Sequence, residues 1–209
     1  MEIGGLVPLP SNAMVTPLTF RVRKRGLRGL LAKHDALEDG SRVITGEWVV
    51  GKRLWQQLQA EWKAMHNDKR RKDDREPKSI HRVVLYFHGG AQGVLQLILC
   101  LICCNAGAYY VFSAATHRLI TIPLSKFAGA RVFAIDYRLA PETRFPGPLH
   151  DAVSAYFRLL DDLHVPPENI LIAGDSAGGG LSLGLLMYLR DNNYPMPAGA
   201  ILMSPWVGE

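Results

Sequence analysis

Four short hydrophobic runs divide the second half of the chain: Arg82–Phe87 (RVVLYF), Arg131–Asp136 (RVFAID), Asn169–Ala173 (NILIA) and Ala200–Met203 (AILM). None alternates apolar with polar residues, as a half-exposed strand would. Unbroken runs of this length suit strands buried on both faces of a parallel sheet. Between them lie segments with helical spacing: Ser113–Phe127, Pro148–Leu163 and Ala177–Arg190. In the second, Ala152, Val153, Tyr156, Phe157 and Leu160 share one face. Earlier, Arg42–Val50 (RVITGEWVV) is rich in β-branched residues around a glycine and predicts a strand or hairpin. Gly51–Asn67 predicts an amphipathic helix with Trp55, Leu58, Trp62 and Met65 in a stripe. That stripe is expected to face the core; the alternative is a cap helix whose aromatics line an acyl pocket. Strands alternating with helices predict an α/β chain with a mostly parallel sheet flanked by helices and joined by right-handed crossovers. There is no internal repeat.

Composition narrows this little. A chain of 209 residues with 48% hydrophobic and 21% charged residues has enough material for one core. The net charge of +5 is uneven. Residues 1–90 hold seventeen basic and ten acidic side chains, whereas residues 91–209 hold seven and nine. The basic excess sits in Arg21–Lys33 and Lys63–Arg82, and Lys69–Glu76 mixes both signs, as a solvated loop does. Without interleaved aromatics or glycines, these stretches do not form a nucleic-acid patch. The N-terminus has no basic region followed by an apolar one, so no signal peptide is read and a cytoplasmic location is expected. Cys100, Cys103 and Cys104 are odd in number and clustered, which makes no disulfide framework. No ligand set of metal spacing accompanies them.

The chemistry concentrates in three places. Gly174-Asp175-Ser176-Ala177-Gly178 is a G-x-S-x-G set between a predicted strand and a predicted helix. In that context the serine occupies a strained turn that pushes its hydroxyl out above the sheet. Gly174 and Gly178 stand where side chains would collide. The Ala177 N–H at the helix start is free for a developing oxyanion. The second place is His88-Gly89-Gly90, directly after the first buried strand. Its glycines let the N–H groups of Gly89 and Gly90 approach a substrate oxygen, while His88 is expected to orient the loop. The third is Asp136-Tyr137-Arg138-Leu139-Ala140-Pro141-Glu142. There Asp136, Arg138 and Glu142 are expected to pair with one another as scaffold beside the site.

Taken in order, HGG, DYRLAPE and GDSAGGG resemble the hormone-sensitive-lipase-like branch of the α/β-hydrolases, which includes the arylacetamide deacetylases. The resemblance covers roughly residues 80–207. It implies hydrolysis of a small-molecule carboxylic ester through an acyl-enzyme, with no cofactor and no metal. By the same resemblance Ser176 is the nucleophile, and Gly89, Gly90 and Ala177 form the oxyanion hole. Residues 1–80 would then form an entry or cap region with the first strands, and residues 81–209 a partial hydrolase core. No oligomeric state is indicated.

Two features depart from that pattern. From Val83 to His117 there is no Asp, Glu, Lys or Arg. Removing Ala91–Gly107 restores the family's reading of this loop, so that segment is expected to be an insert or a retained intron. Val94–Phe112 has about the length of a membrane span, but one crossing would put strands of a single sheet on opposite sides of the bilayer. The second departure concerns order. In this fold the triad runs Ser, then Asp or Glu, then His along the chain. All seven histidines precede Ser176, and Asp191 and Glu209 are the acidic residues after it. The family's sheet also continues for two strands past Ala200–Met203. The 209 residues are therefore expected to be an incomplete and inactive hydrolase, with a lipid- or protein-binding remnant as the alternative. His88 and His150, the upstream histidines that merit consideration as a base, each already hold a structural place.

Overall fold

Sheet order and direction bring three loop-bearing strand ends to one edge. The computed structural model describes residues 11–67, 82–90, 113–139 and 142–207. The expected insert Ala91–Gly107, the apolar stretch Val94–Phe112, the three cysteines, the charged loop Lys69–Glu76, Ala140 and Pro141 lie outside the described residues. The strands are β1 (Ala13–Arg21), β2 (Val43–Gly51), β3 (Val83–Phe87), β4 (Arg131–Asp136), β5 (Ile170–Asp175) and β6 (Gly199–Met203). They form one sheet in the order β1-β2-β4-β3-β5-β6. β1 and β2 are antiparallel to their neighbours, and β4, β3, β5 and β6 run parallel. The helices are α1 (Ala32–Ala36), α2 (Lys52–Asn67), α3 (Arg118–Ala128), α4 (Gly147–Phe157) and α5 (Ser176–Asp191).

Period-two alternation in the buried strands feeds two cores. Leu85, Phe87, Phe133, Ile135, Ile170 and Ile172 face α4 and α5, where they meet Tyr156, Leu185 and Leu189. Val84, Tyr86, Val132, Ala134 and Ala173 face the other way, toward Ile122 of α3. Every residue of β3 is fully buried, which is why its sequence shows no alternation. Each such side chain contributes about 1.5–3 kcal/mol relative to exposure. One buried charged pair sits among them: Glu47 on β2 meets Arg118 on α3, with Nη2 2.6 Å from Oε2.

Boundaries shift for local reasons. The helix expected over Pro148–Leu163 is α-helical only to Phe157 and widens to a π-turn over Arg158–Asp162. The segment Ser113–Phe127 opens with a 3-10 turn at Ala115–His117 before α3, which stops at Gly129 in the left-handed region (φ 57°). β1 is a strand that the sequence does not announce, because Pro17 argues against one. It is tolerated there because β1 is the edge strand. Equally unannounced, α1 is held by the buried Asp35, which accepts N–H bonds from Arg25 and Leu27, each at 3.0 Å.

The helix over Gly51–Asn67 forms, but its stripe does not enter the core. Trp55 is 36% exposed and Trp62 56%. The helix lies along β1 and β2, at the opposite edge of the sheet from β6. Amphipathic spacing makes a helix with an apolar face, but only a neighbouring surface can bury it. The side chain of Met65 lies outside the described residues.

Candidate active site

β5 ends in extended backbone at Asp175 (φ −114°, ψ 147°), and Ser176 then turns into the left-handed region at φ 49°. A non-glycine residue there costs on the order of 1–3 kcal/mol and persists only where its surroundings impose it. They do so here by close approach. A Cβ on Gly178 would strike the Phe87 carbonyl oxygen and lie 2.6 Å from that of His88. One on Gly174 would strike the Gly178 backbone and come 2.8 Å from the Ser182 hydroxyl. Ser182 itself donates to the Gly178 carbonyl at 2.8 Å. With β3 and the helix start pressed this closely together, the chain has one way to turn, and Ser176 is left exposed at the top of the sheet. The Trp206 N–H donates to the Ser176 carbonyl at 2.8 Å, so the segment after β6 straps the turn from the other side.

Asp175, the residue before the serine, ties this turn to the His88–Gly90 loop. Its carboxylate accepts the Tyr86 hydroxyl, and the Gly89 N–H at 2.9 Å. Burial first, and then the neighbouring Asp175 charge, pushes the Tyr86 phenol far up, so it stays a donor. His117 Nε2 lies 3.7 Å from the other carboxylate oxygen. A Cβ on Gly89 would strike Asp175, so the glycine is required by this contact. The contact bears on the donors expected for an oxyanion. The Gly89 N–H is already committed to Asp175, which leaves Gly90 and Ala177, both partly exposed, as the candidate donors.

His88 is buried and donates from Nδ1 to the Gly89 carbonyl at 2.8 Å. Its ring stacks on Tyr137 at 4.7 Å between centroids, and the Tyr137 hydroxyl donates to the His88 carbonyl at 2.7 Å. Burial lowers its pKa, which keeps the imidazole neutral. It holds the loop by these bonds.

The DYRLAPE residues do not pair as expected. Asp136 accepts the Ala114 N–H at 2.7 Å and the Thr45 hydroxyl at 3.1 Å. Arg138 pairs instead with Asp151 of α4, through Nε at 2.9 Å and Nη2 at 3.0 Å. Glu142 is exposed and joins neither. Sequence spacing put the three on one loop, but Asp136, the last residue of β4, meets β2 and the Ala114 N–H, whereas Arg138 meets α4.

Four residues near the site escape a reading of the sequence. Tyr86 alone has a signal, a lone hydroxyl in an aliphatic run. Nothing local marks His117, Asp151 or Trp206, whose partners lie far along the chain. Among the described residues no His, Cys, Asp and Glu group could hold a metal ion, and no helix is long and apolar enough to cross a membrane.

A profile of the alpha/beta hydrolase fold matches residues 101–209, which takes in both the DYRLAPE and GDSAGGG segments. An acetyl-hydrolase of Streptomyces hygroscopicus is 43% identical over 125 residues, covering 60% of this chain and 36% of that protein. A carboxylesterase/phospholipase of Mycobacterium tuberculosis is 36% identical over 124 residues, covering 59% and 28%. Among solved structures, an esterase of the bacterial hormone-sensitive lipase family superposes with a TM-score of 0.57 at 29% identity, covering 98% of this chain and 48% of that one. The protein EstE5 gives a TM-score of 0.59 at 28% identity, covering 98% and 48%. This chain thus spans about half the length of the solved relatives and a third of the curated ones. The mostly parallel sheet, the strained serine between β5 and α5 and these likenesses agree: the chain belongs to the α/β-hydrolase family, on its hormone-sensitive-lipase-like branch.

Proposed function

We propose that these residues carry the nucleophile and oxyanion side of a carboxylic ester hydrolase that acts on small-molecule esters. The observation that carries this is the exposed Ser176 at φ 49°, held at the strand–helix junction by glycines that admit no side chain. A serine so placed attacks an ester carbonyl. The Ala177 and Gly90 N–H groups face the oxygen that gains charge, the alcohol departs, and water releases the acyl group from Ser176. The acetyl-hydrolase and esterase names of the relatives support this reaction class.

The general base in this fold follows the nucleophile along the chain. The 209 residues hold no histidine after Ser176. Loss of a triad member costs on the order of 10,000-fold or more, so these residues by themselves are proposed to turn esters over slowly. The test uses a fluorophosphonate probe and p-nitrophenyl butyrate. The probe should label the 209-residue chain slowly at Ser176, and Ser176→Ala should remove that label with the fold retained. A chain carrying a relative-length extension should hydrolyse the ester far faster. Equal labelling of the Ser176→Ala chain would overturn the assignment of the nucleophile.

A further inference from the structure

The apolar stripe of α2 belongs neither to the two cores nor to the serine turn. The strand register places its origin. Thr45 pairs with Asp136 and Val49 with Val132, so β2 ends beside the amino-terminal ends of the parallel strands. Ser176 follows the carboxyl end of β5, at the other end of the sheet. The stripe therefore starts far from the nucleophile, which argues against the acyl-pocket alternative. The helix rests on β1 and β2, and Leu54 and Leu58 are half-buried there.

Successive residues of a helix turn by about 100°. Beyond Leu54 and Leu58, the order around α2 is Trp62, Trp55, Gln59, Lys52 and Lys63, all exposed and all within an arc of about 100°. The two tryptophans stand about two turns apart, with a lysine beyond each end of the pair. Glu61, the single acidic residue of α2, lies on the opposite flank of the leucines. Neighbouring elements add no uncancelled negative charge. β1 and α3 contain no acidic residue, and Glu47 of β2 is buried against Arg118. Lys52 and Lys63 enter no ion pair among the described residues.

An aromatic shoulder bordered by lysines and kept apart from acids fits a surface that is apolar within and anionic outside. We propose that this shoulder of α2 seats the chain on an anionic lipid surface, lying in the headgroup region without crossing it. Tryptophan is favoured at that boundary. Lysine stems lie along the apolar layer while their ammonium groups meet lipid phosphates. Charge favours lipid over a second copy, since a self-contact would gather four lysines, two from each chain, with no acid among them. Strands added beside β6 would stand at the opposite edge of the sheet, away from α2. The surface does not depend on the ester-hydrolase reading.

The test is co-sedimentation of the 209-residue chain with vesicles of phosphatidylcholine alone, and of phosphatidylcholine mixed in equal parts with phosphatidylglycerol. The mixed vesicles should bind the chain more tightly. Sodium chloride at about 1 M, which screens charges beyond about 3 Å, should release it. Lys52→Gln with Lys63→Gln, at exposed positions that leave the fold alone, should weaken binding to the mixed vesicles by about 30-fold. Trp55→Ala with Trp62→Ala should weaken it by about tenfold, with circular dichroism reporting whether that variant is folded. The proposal is overturned if neutral and mixed vesicles bind alike. It is also overturned if the lysine variant binds as tightly as the parent, as capture through the apolar stretch Val94–Phe112 would require. A dimer in lipid-free solution that Trp62→Ala dissociates would overturn it too, because a second copy would then cover the shoulder.

Discussion

Two carboxylates near the carboxyl edge of the sheet, Asp151 and Asp175, are handled in opposite ways. Asp151 has no exposed surface and is neutralised by two guanidiniums, those of Arg42 and Arg138. Asp175 keeps 21% of its side-chain surface exposed and is held mostly by neutral donors, the Tyr86 hydroxyl and the Gly89 N–H. The first arrangement locks the N-terminal segment and the loop after β4 onto α4. The second leaves a charge beside the nucleophile that is oriented but not cancelled by a guanidinium. A buried ion network serves tertiary structure; a hydrogen-bonded carboxylate one residue from Ser176 positions two loops of the site against each other.

The contrast can be broken by neutralising each carboxylate in turn. Asp151→Ala removes a buried carboxylate from two partly exposed guanidiniums and should cost about 3 kcal/mol, read as a loss of unfolding free energy in urea. Removing the phenol in Tyr86→Phe takes away a bond to a charged acceptor. It should cost about 2 kcal/mol and slow phosphonate labelling of Ser176. Asp175→Asn preserves the amide oxygen that can accept both bonds, so its stability should fall by less than about 1 kcal/mol. Labelling should nevertheless slow, and a larger stability loss than that of Asp151→Ala would reverse the comparison. Ser176→Gly should raise stability by about 1 kcal/mol, since glycine accepts φ 49° without strain.

The smallest effect concerns pH. Burial holds His88 and His150 below the usual histidine range, each kept neutral in the folded chain. The unfolded chain therefore takes up protons first, and stability should fall as pH drops below about 6.5. Unfolding midpoints across that window should fall less steeply in a His150→Gln variant. An unchanged slope would show that His150 stays neutral in both states or titrates alike in both.

The motif residues were legible because their constraints are local. Gly174 and Gly178 are required by backbone contacts inside one strand-turn-helix unit and one adjacent strand, and Ser176 has its conformation imposed there. The four apolar runs were legible as buried strands for the same reason, since burial on both faces writes itself into each run. The stripe of α2 was legible as a stripe but not as a destination. Trp55 and Trp62 would be buried only by a surface contributed from elsewhere, and beside β1 and β2 they remain exposed.

By itself the amino-acid sequence determined the α/β alternation, the buried parallel strands and the place of the serine turn, which are written in runs of one character or in one short motif, although the Phe87 and His88 carbonyls that press on Gly178 arrive only with the fold. Tertiary structure alone decided that the Gly89 N–H goes to Asp175, that Arg138 meets Asp151 and not Glu142, that Trp206 straps the serine turn, and that His150 keeps a buried ring nitrogen unpaired. Each of those outcomes is a choice among partners brought together by the register and order of the sheet. A donor or carboxylate in a sequence carries no mark of which distant group will arrive within about 3 Å of it.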